Sequence, residues 1–247
     1  MNDPSNPEAL DFNINWLQRY RLLNDPKRGP YCLADGEKHY VDEMDVILAI
    51  DPAGSGDVET NVAEAAKRGR AKKANNAIVI WGTHGTGKKF LLDVWTGRGH
   101  GENPEYEIAK KTLDLFVRWR GFVRRGYVES YGAQRALITV FDMVCRQHGQ
   151  RFRLEEIGRE NQKAKKVRIR TYLGTPAQNG DLYVRNVHDQ FIHEFSQFPQ
   201  SDTFDTLDAT AWAMSKLTEP GTPVERAITQ SRNAKIKARI RKFRRTL

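Results

Sequence analysis

Four carboxylates stand where their placement could do chemistry. Asp51 follows residues 46–50 (VILAI), an uninterrupted apolar run of strand length, and Glu129 closes a second strand-like segment over 122–129. An acid at the end of a buried strand is costly unless it faces a cleft or binds a cation. Asp205 and Asp208, three apart, share one face near the start of a helix expected over 205–217. Singly, each has an ordinary reading: Asp51 caps a turn with Pro52, and the two helix acids are favoured by the macrodipole. Their combination points further. If the first and fourth strands are neighbours, their ends lie ~5 Å apart and Asp51 and Glu129 enter one cleft. A helix crossing that edge brings Asp205 within reach. Carboxylates gathered in this way raise one another's pKa. Hard, oxygen-ligated dications such as Mg2+ or Mn2+ cancel that repulsion. Two such ions ~3.5–4 Å apart activate a water and stabilise the leaving oxygen of a phosphodiester. No serine or cysteine nucleophile arrangement competes.

A second motif is rejected. Residues 82–88 (GTHGTGK) fit the GxxxxGK part of a phosphate-binding loop. That chemistry needs a helix after the lysine and a Ser or Thr to hold Mg2+. Here Lys89 follows, and residues 90–95 (FLLDVW) are β-prone. Three glycines between two strands suit a hairpin loop, because glycine reaches positive φ cheaply.

The elements that must carry the acids follow from periodicity. Strands are expected over 46–50, 77–81 and 90–95 as an antiparallel meander, then over 122–129 and 152–157. Helices are expected over 104–120, with Ile108, Leu115, Phe116 and Trp119 on one face, and over 136–148, with Leu137, Val140, Phe141 and Val144. The fold expected is α/β: a mixed five-stranded sheet, three strands antiparallel and then two parallel, covered by helices. Beyond it, 165–173 reads as helical, Asn179-Gly180 as a tight turn before 182–184, and 190–198 places Phe191, Phe195 and Phe198 together. Residues 1–44 read as an irregular leader with a short helical pattern over 11–23, broken by Asp25-Pro26 and Gly29-Pro30. Residues 54–75 read as a basic, functional or disordered insertion, with a short helix at 58–67.

Of 247 residues, 40 are Lys or Arg and 31 Asp or Glu, a net charge of +9. After Glu225 no acid occurs, and nine basic residues from Arg226 to Arg245 equal the whole excess. This tail reads as a solvated end or as a contact for nucleic acid or an acidic partner. No run of ~18 apolar residues exists, so a membrane span is not expected. Nor does the start look like a secretory signal. Cys32 and Cys145 lie far apart without metal-ligand spacing, which argues against a structural zinc site or a disulfide scaffold.

Segments 46–53 (VILAIDPA), 128–134 (VESYGAQ) and 204–209 (FDTLDA) together resemble the signature segments of the nuclease domain of large terminase subunits, the DNA-packaging motors of tailed bacteriophages. The resemblance spans roughly 44–217. It implies an RNase H-like fold with an auxiliary β-hairpin, here near 180–185, and metal-dependent cleavage of double-stranded viral DNA in the host cytoplasm by a protein outside the virion structure. It implies Asp51, Glu129 and Asp205 as catalytic metal ligands for Mg2+ or Mn2+, two ions, with Asp208 auxiliary. Lys166, Arg168, Arg170 and Arg185 are then expected to contact DNA. Motor partners would be an ATPase domain, the portal and the small terminase subunit. This chain has no credible phosphate-binding loop, so ATP hydrolysis is not expected of it. The expected division is a linker remnant over 1–44, a nuclease domain over 45–218 and a basic tail over 219–247. Many relatives open the second strand with an acid, where this chain has Asn75 and Asn76.

Other readings are a Holliday-junction resolvase or transposase-like nuclease of the same fold, a non-catalytic basic module that docks DNA or a motor, and a nucleotide hydrolase using 82–88.

Overall fold

The computed structural model describes residues 11–53, 75–99, 103–129, 135–157, 164–201 and 203–217. After a 3-10 turn at Ile14–Trp16 come β1 (Gln18–Arg19), β2 (Arg21–Asp25), β3 (Gly29–Ala34) and β4 (Glu37–Tyr40). Then follow β5 (Asp45–Asp51), β6 (Asn76–Thr83), β7 (Lys89–Gly97), α1 (Pro104–Trp119), β8 (Val123–Glu129), α2 (Arg135–Gln147) and β9 (Leu154–Ile157). The last elements are α3 (Lys165–Gln178), β10 (Leu182–Val184), α4 (Asp189–Ser196) and α5 (Asp205–Lys216). Among the described residues, seven strands form one sheet in the order β1-β10-β7-β6-β5-β8-β9, and β2-β3-β4 form a separate antiparallel sheet.

Strands β5, β6 and β7 make the antiparallel meander, and β8 and β9 continue it in parallel from β5. This is the mixed α/β order expected from the sequence, with two further parallel strands, β10 and β1, added beyond β7. The central strands read as continuous apolar runs because helices cover both faces. Alternation assigns the residues to those faces. Val46, Leu48 and Ile50 pack with Ile78, Ile80 and Phe90 against Leu113, Phe116, Phe141 and Val144 of α1 and α2. Ile47 and Ala49 join Val79, Trp81 and Leu91 against Ile169, Phe191, Phe195, Leu207 and Ala211 of α3, α4 and α5.

The sequence expectations need three corrections. Residues 18–40 are not irregular, and the end of the expected helical pattern, 18–23, runs through β1 and into β2. They form β1 at the sheet edge and the whole of a small three-stranded sheet, with Tyr20, Cys32 and Ala34 buried in the main core. The Tyr20 hydroxyl donates to the Leu91 carbonyl at 2.6 Å, fastening this segment down. Second, the antiparallel hairpin sheet lies at 21–40 instead of 180–185. Residues 182–184 are all buried and pair in parallel with β7 and β1, so they belong to the main sheet. Third, the main sheet has seven strands where five were expected. The loop over 82–88 is the hairpin expected: the His84 N–H donates to the Lys88 carbonyl at 2.9 Å, and Gly87 has φ +84°. Both cysteines are buried and free. Among the described residues no helix is long and apolar enough to cross a membrane. The insertion over 54–75, apart from Asn75, and the basic tail lie outside the described residues.

Candidate active site

Strand pairing decides where the acids meet. Ile50 of β5 pairs in parallel with Val128 of β8, so the next residues, Asp51 and Glu129, end adjacent strands at the same level. Alternation turns both side chains away from Ile50 and Val128, toward the face that α5 covers. Helix α5 lies buried from Asp205 to Met214, and its Asp208 projects onto the same rim. One carboxylate oxygen each from Asp51, Glu129 and Asp208 lies within 4.8 Å of the others. Asp51 is only 8% exposed, Glu129 6% and Asp208 2%. Asp205 is equally buried but stands one step aside, its Oδ2 accepting the Asn75 backbone N–H at 2.9 Å. The geometry thus gathers all four acids, with Asp208 in the tight group and Asp205 beside it. The resemblance implies the opposite order, with Asp205 as ligand and Asp208 as auxiliary.

Two cations sit among them. The Lys165 ammonium, at the start of α3, donates to Asp205 Oδ1 at 3.1 Å and to Asp51 Oδ2 at 3.5 Å, and it pairs with Asp208 Oδ2 at 3.5 Å. One turn on, the Arg168 guanidinium grips both Asp208 oxygens, from Nε at 2.8 Å and Nη2 at 2.7 Å. Arg168 lies 4.2 Å over the Trp212 ring, and its Nη2 is 3.9 Å from Glu129 Oε1. Trp212 in turn donates its indole N–H to Glu129 Oε2 at 2.9 Å.

Electrostatics follow from burial. Desolvation holds the Asp51 carboxyl well above the usual carboxylate range; Lys165 opposes this, while Asp208, Glu129 and Asp205 reinforce it. Asp208 is raised in the same way by burial and by Glu129, against the pull of Lys165 and Arg168. Burial works against the Lys165 charge, but Asp51, Asp208 and Asp205 outweigh it and push its pKa above the ordinary lysine value. Fully ionised, the four carboxylates exceed the two cations by two negative charges, which one dication would neutralise. The donors are all hard oxygens and more numerous than the cations, so the residues present fit Mg2+ or Mn2+.

The mounting of α5 comes from residues that the sequence reading did not single out. Phe204 supplies no side-chain cap to this helix. Instead the buried Glu194 of α4 accepts from Thr206 N at 2.9 Å, Leu207 N at 3.2 Å and the Thr206 hydroxyl at 2.6 Å. It thereby satisfies the orphan N–H groups of the first turn. Trp81 donates to the Thr210 hydroxyl at 3.1 Å, pinning α5 to β6. Asn75 and Asn76 brace the rim: beyond the Asn75 bond to Asp205, Asn76 Oδ1 accepts from Ala53 N at 3.0 Å. The signal for Lys165 was a basic run from 163 to 170, which does not reveal which turn faces the acids.

The expected DNA contacts divide. Lys166 is exposed beside the rim and donates to the Pro199 carbonyl at 3.0 Å. Arg168 is buried and holds both oxygens of Asp208, turned into the acidic group instead of toward solvent. Arg170 pairs with Asp11. Arg185 donates to the Leu92 carbonyl at 2.7 Å next to β10, a strand separated from β5 by β7 and β6, or about 14 Å across the sheet. It therefore stands apart from the acidic rim.

No protein-family model and no curated protein matches the chain. Among solved structures it is similar to the P22 large terminase nuclease domain, at 15% identity and TM-score 0.42, over 70% of this chain and 80% of that one. T. thermophilus RuvC in complex with Holliday junction substrate is similar at 12% identity and TM-score 0.35, over 69% and 91%. The fowlpox virus Holliday junction resolvase is similar at 11% identity and TM-score 0.37, over 70% and 99%.

Proposed function

We propose that the chain is a divalent-metal-dependent endonuclease of double-stranded DNA, acting as a terminase nuclease does when a viral genome is packaged. The observation that carries this reading is the convergence of Asp51, Glu129 and Asp208 oxygens within 4.8 Å at the end of adjacent parallel strands. These three would hold Mg2+ or Mn2+, with Asp205 available to a second ion. Bound there, the metal would supply an activated water and charge stabilisation at a phosphodiester. The chain's own groups prepare the rim. Trp212 fixes the Glu129 carboxylate, Arg168 fixes Asp208, and the Asn75 backbone fixes Asp205. Lys166, exposed beside the rim, is assigned to a DNA phosphate, and the basic residues after 225 to further phosphates or a motor partner. Such contacts give affinity with little base information, so cleavage should be weakly sequence-selective. Packaging, with an ATPase domain, the portal and the small terminase subunit as partners, rests on the resemblance of 46–53, 128–134 and 204–209.

Supercoiled-plasmid nicking with Mn2+ tests this. Asp51→Asn, Glu129→Gln and Asp208→Asn should each lower the rate by about a hundredfold or more with circular dichroism unchanged. Full activity of the Asp51→Asn protein would remove the reading. Faster cutting of four-way junctions than of linear duplex would move the substrate to that of a resolvase.

A further inference from the structure

The acidic rim already shares a cation. Lys165 Nζ lies 3.1 Å from Asp205 Oδ1 and 3.5 Å from both Asp51 Oδ2 and Asp208 Oδ2, in the place where carboxylates from β5 and α5 face one another. We propose that Lys165 is an exchangeable resident cation, which holds these carboxylates together in the metal-free protein and gives up its place when a divalent ion enters. The inference rests on the metal-site reading above and deepens it.

Lys165 and Arg168 differ in what it costs them to leave. The Arg168 side chain is 7% exposed, bound to both oxygens of Asp208 and stacked on Trp212. Removing it would strand a buried carboxylate. The Lys165 side chain is 38% exposed and reaches in from the first residue of α3, where Ala164 provides no side-chain cap. Its flexible stem can swing to solvent without unfolding the helix. Charge makes the exchange consequential. With Lys165 and Arg168 both in place, the four acids have charge left for one dication. A second dication is compensated better once Lys165 has withdrawn. Lys165 therefore sets both the affinity and the number of ions held.

The test titrates the metal-free chain of residues 1–247 with Mn2+ by calorimetry, with bound Mn2+ counted by electron paramagnetic resonance. Lys165→Met should bind Mn2+ at least about tenfold more tightly and hold more ions per chain. Lys165→Arg, which keeps the charge, should stay near the wild-type affinity. Metal-free Lys165→Met should also melt lower than wild type, and Mn2+ should raise its Tm by more. Equal or weaker Mn2+ binding by a folded Lys165→Met protein would overturn the exchange while leaving the metal site standing. Absence of Mn2+ binding in wild type and variant alike would overturn the metal site and the exchange with it. Should Lys165→Met fail to fold, Lys165→Gln repeats the measurement under the same criteria.

Discussion

The two ends of the central sheet handle charge in opposite ways. Where β5 and β8 finish, four buried carboxylates outnumber the two cations among them. At the other end, where β5 starts beside the end of β6, Lys88 bonds Asp35 at 2.8 Å, and the Tyr183 hydroxyl donates to the same carboxylate at 2.6 Å. That pair is balanced and half in water, with Asp35 52% exposed. The hydrogen bonds from Lys88 and Tyr183 hold the Asp35 carboxyl below its usual range, whereas burial holds Asp51 above it. The end with the phosphate-loop-like sequence is thus a structural tie between two sheets, and the end without a glycine motif has unspent charge. Surplus charge combined with burial sets the two ends apart more sharply than any short motif does.

The contrast can be broken most forcefully by removing one cation at each end. Arg168→Ala leaves buried Asp208 without its clamp and should cost about 3–5 kcal/mol in urea unfolding of the metal-free protein. Lys88→Ala breaks a solvated pair and should cost about 0–1 kcal/mol. Equal costs would erase the distinction. A smaller effect is expected from Glu194→Ala, which uncaps α5 and leaves two backbone N–H groups buried. It should lower stability by about 1–3 kcal/mol and weaken Mn2+ binding, although Glu194 touches none of the site carboxylates. The smallest effect sharpens the comparison through pH. Asp51 holds its proton more firmly folded than unfolded, so its contribution is fully present below about pH 3.8 and is lost as pH rises through the folded value. Asp35 runs the other way, contributing above about pH 3.8 and losing that contribution as pH falls through its lowered folded value. In chelator, the Tm of wild type relative to Asp51→Asn should fall as pH rises from 4, and relative to Asp35→Asn it should fall as pH drops below 4. Matching slopes would contradict the assignment.

Asp51 and Glu129 were legible because each ends a segment whose apolar pattern fixes strand, direction and burial. Asp205 and Asp208 were legible as a pair only. A spacing of three puts both on one helix face, and their ranking depends on how Glu194, Trp81 and Trp212 seat α5, contacts 12 to 129 residues away in sequence. The burial of Arg168 was illegible for a similar reason: in a run of basic residues nothing local distinguishes the turn that is buried from those that meet solvent. The small sheet was hidden by its own turns. Asp25-Pro26 and Gly29-Pro30 look like breaks, yet Asp25 Oδ1 accepts from Lys27 N at 2.9 Å and Gly29 takes φ +93°, which closes a hairpin between β2 and β3. Strands of two to six residues carry too little alternation to outweigh such punctuation.

Because α5 is enclosed by protein along ten consecutive positions, Asp205 and Asp208 ride on a mount with almost no freedom to adjust. Evolution cannot retune the spacing of these acids by altering the helix itself without disturbing the whole interior. Variation that tunes the rim should therefore accumulate at Lys165, the partly exposed first residue of α3, where a side chain can change length at little cost to the rest.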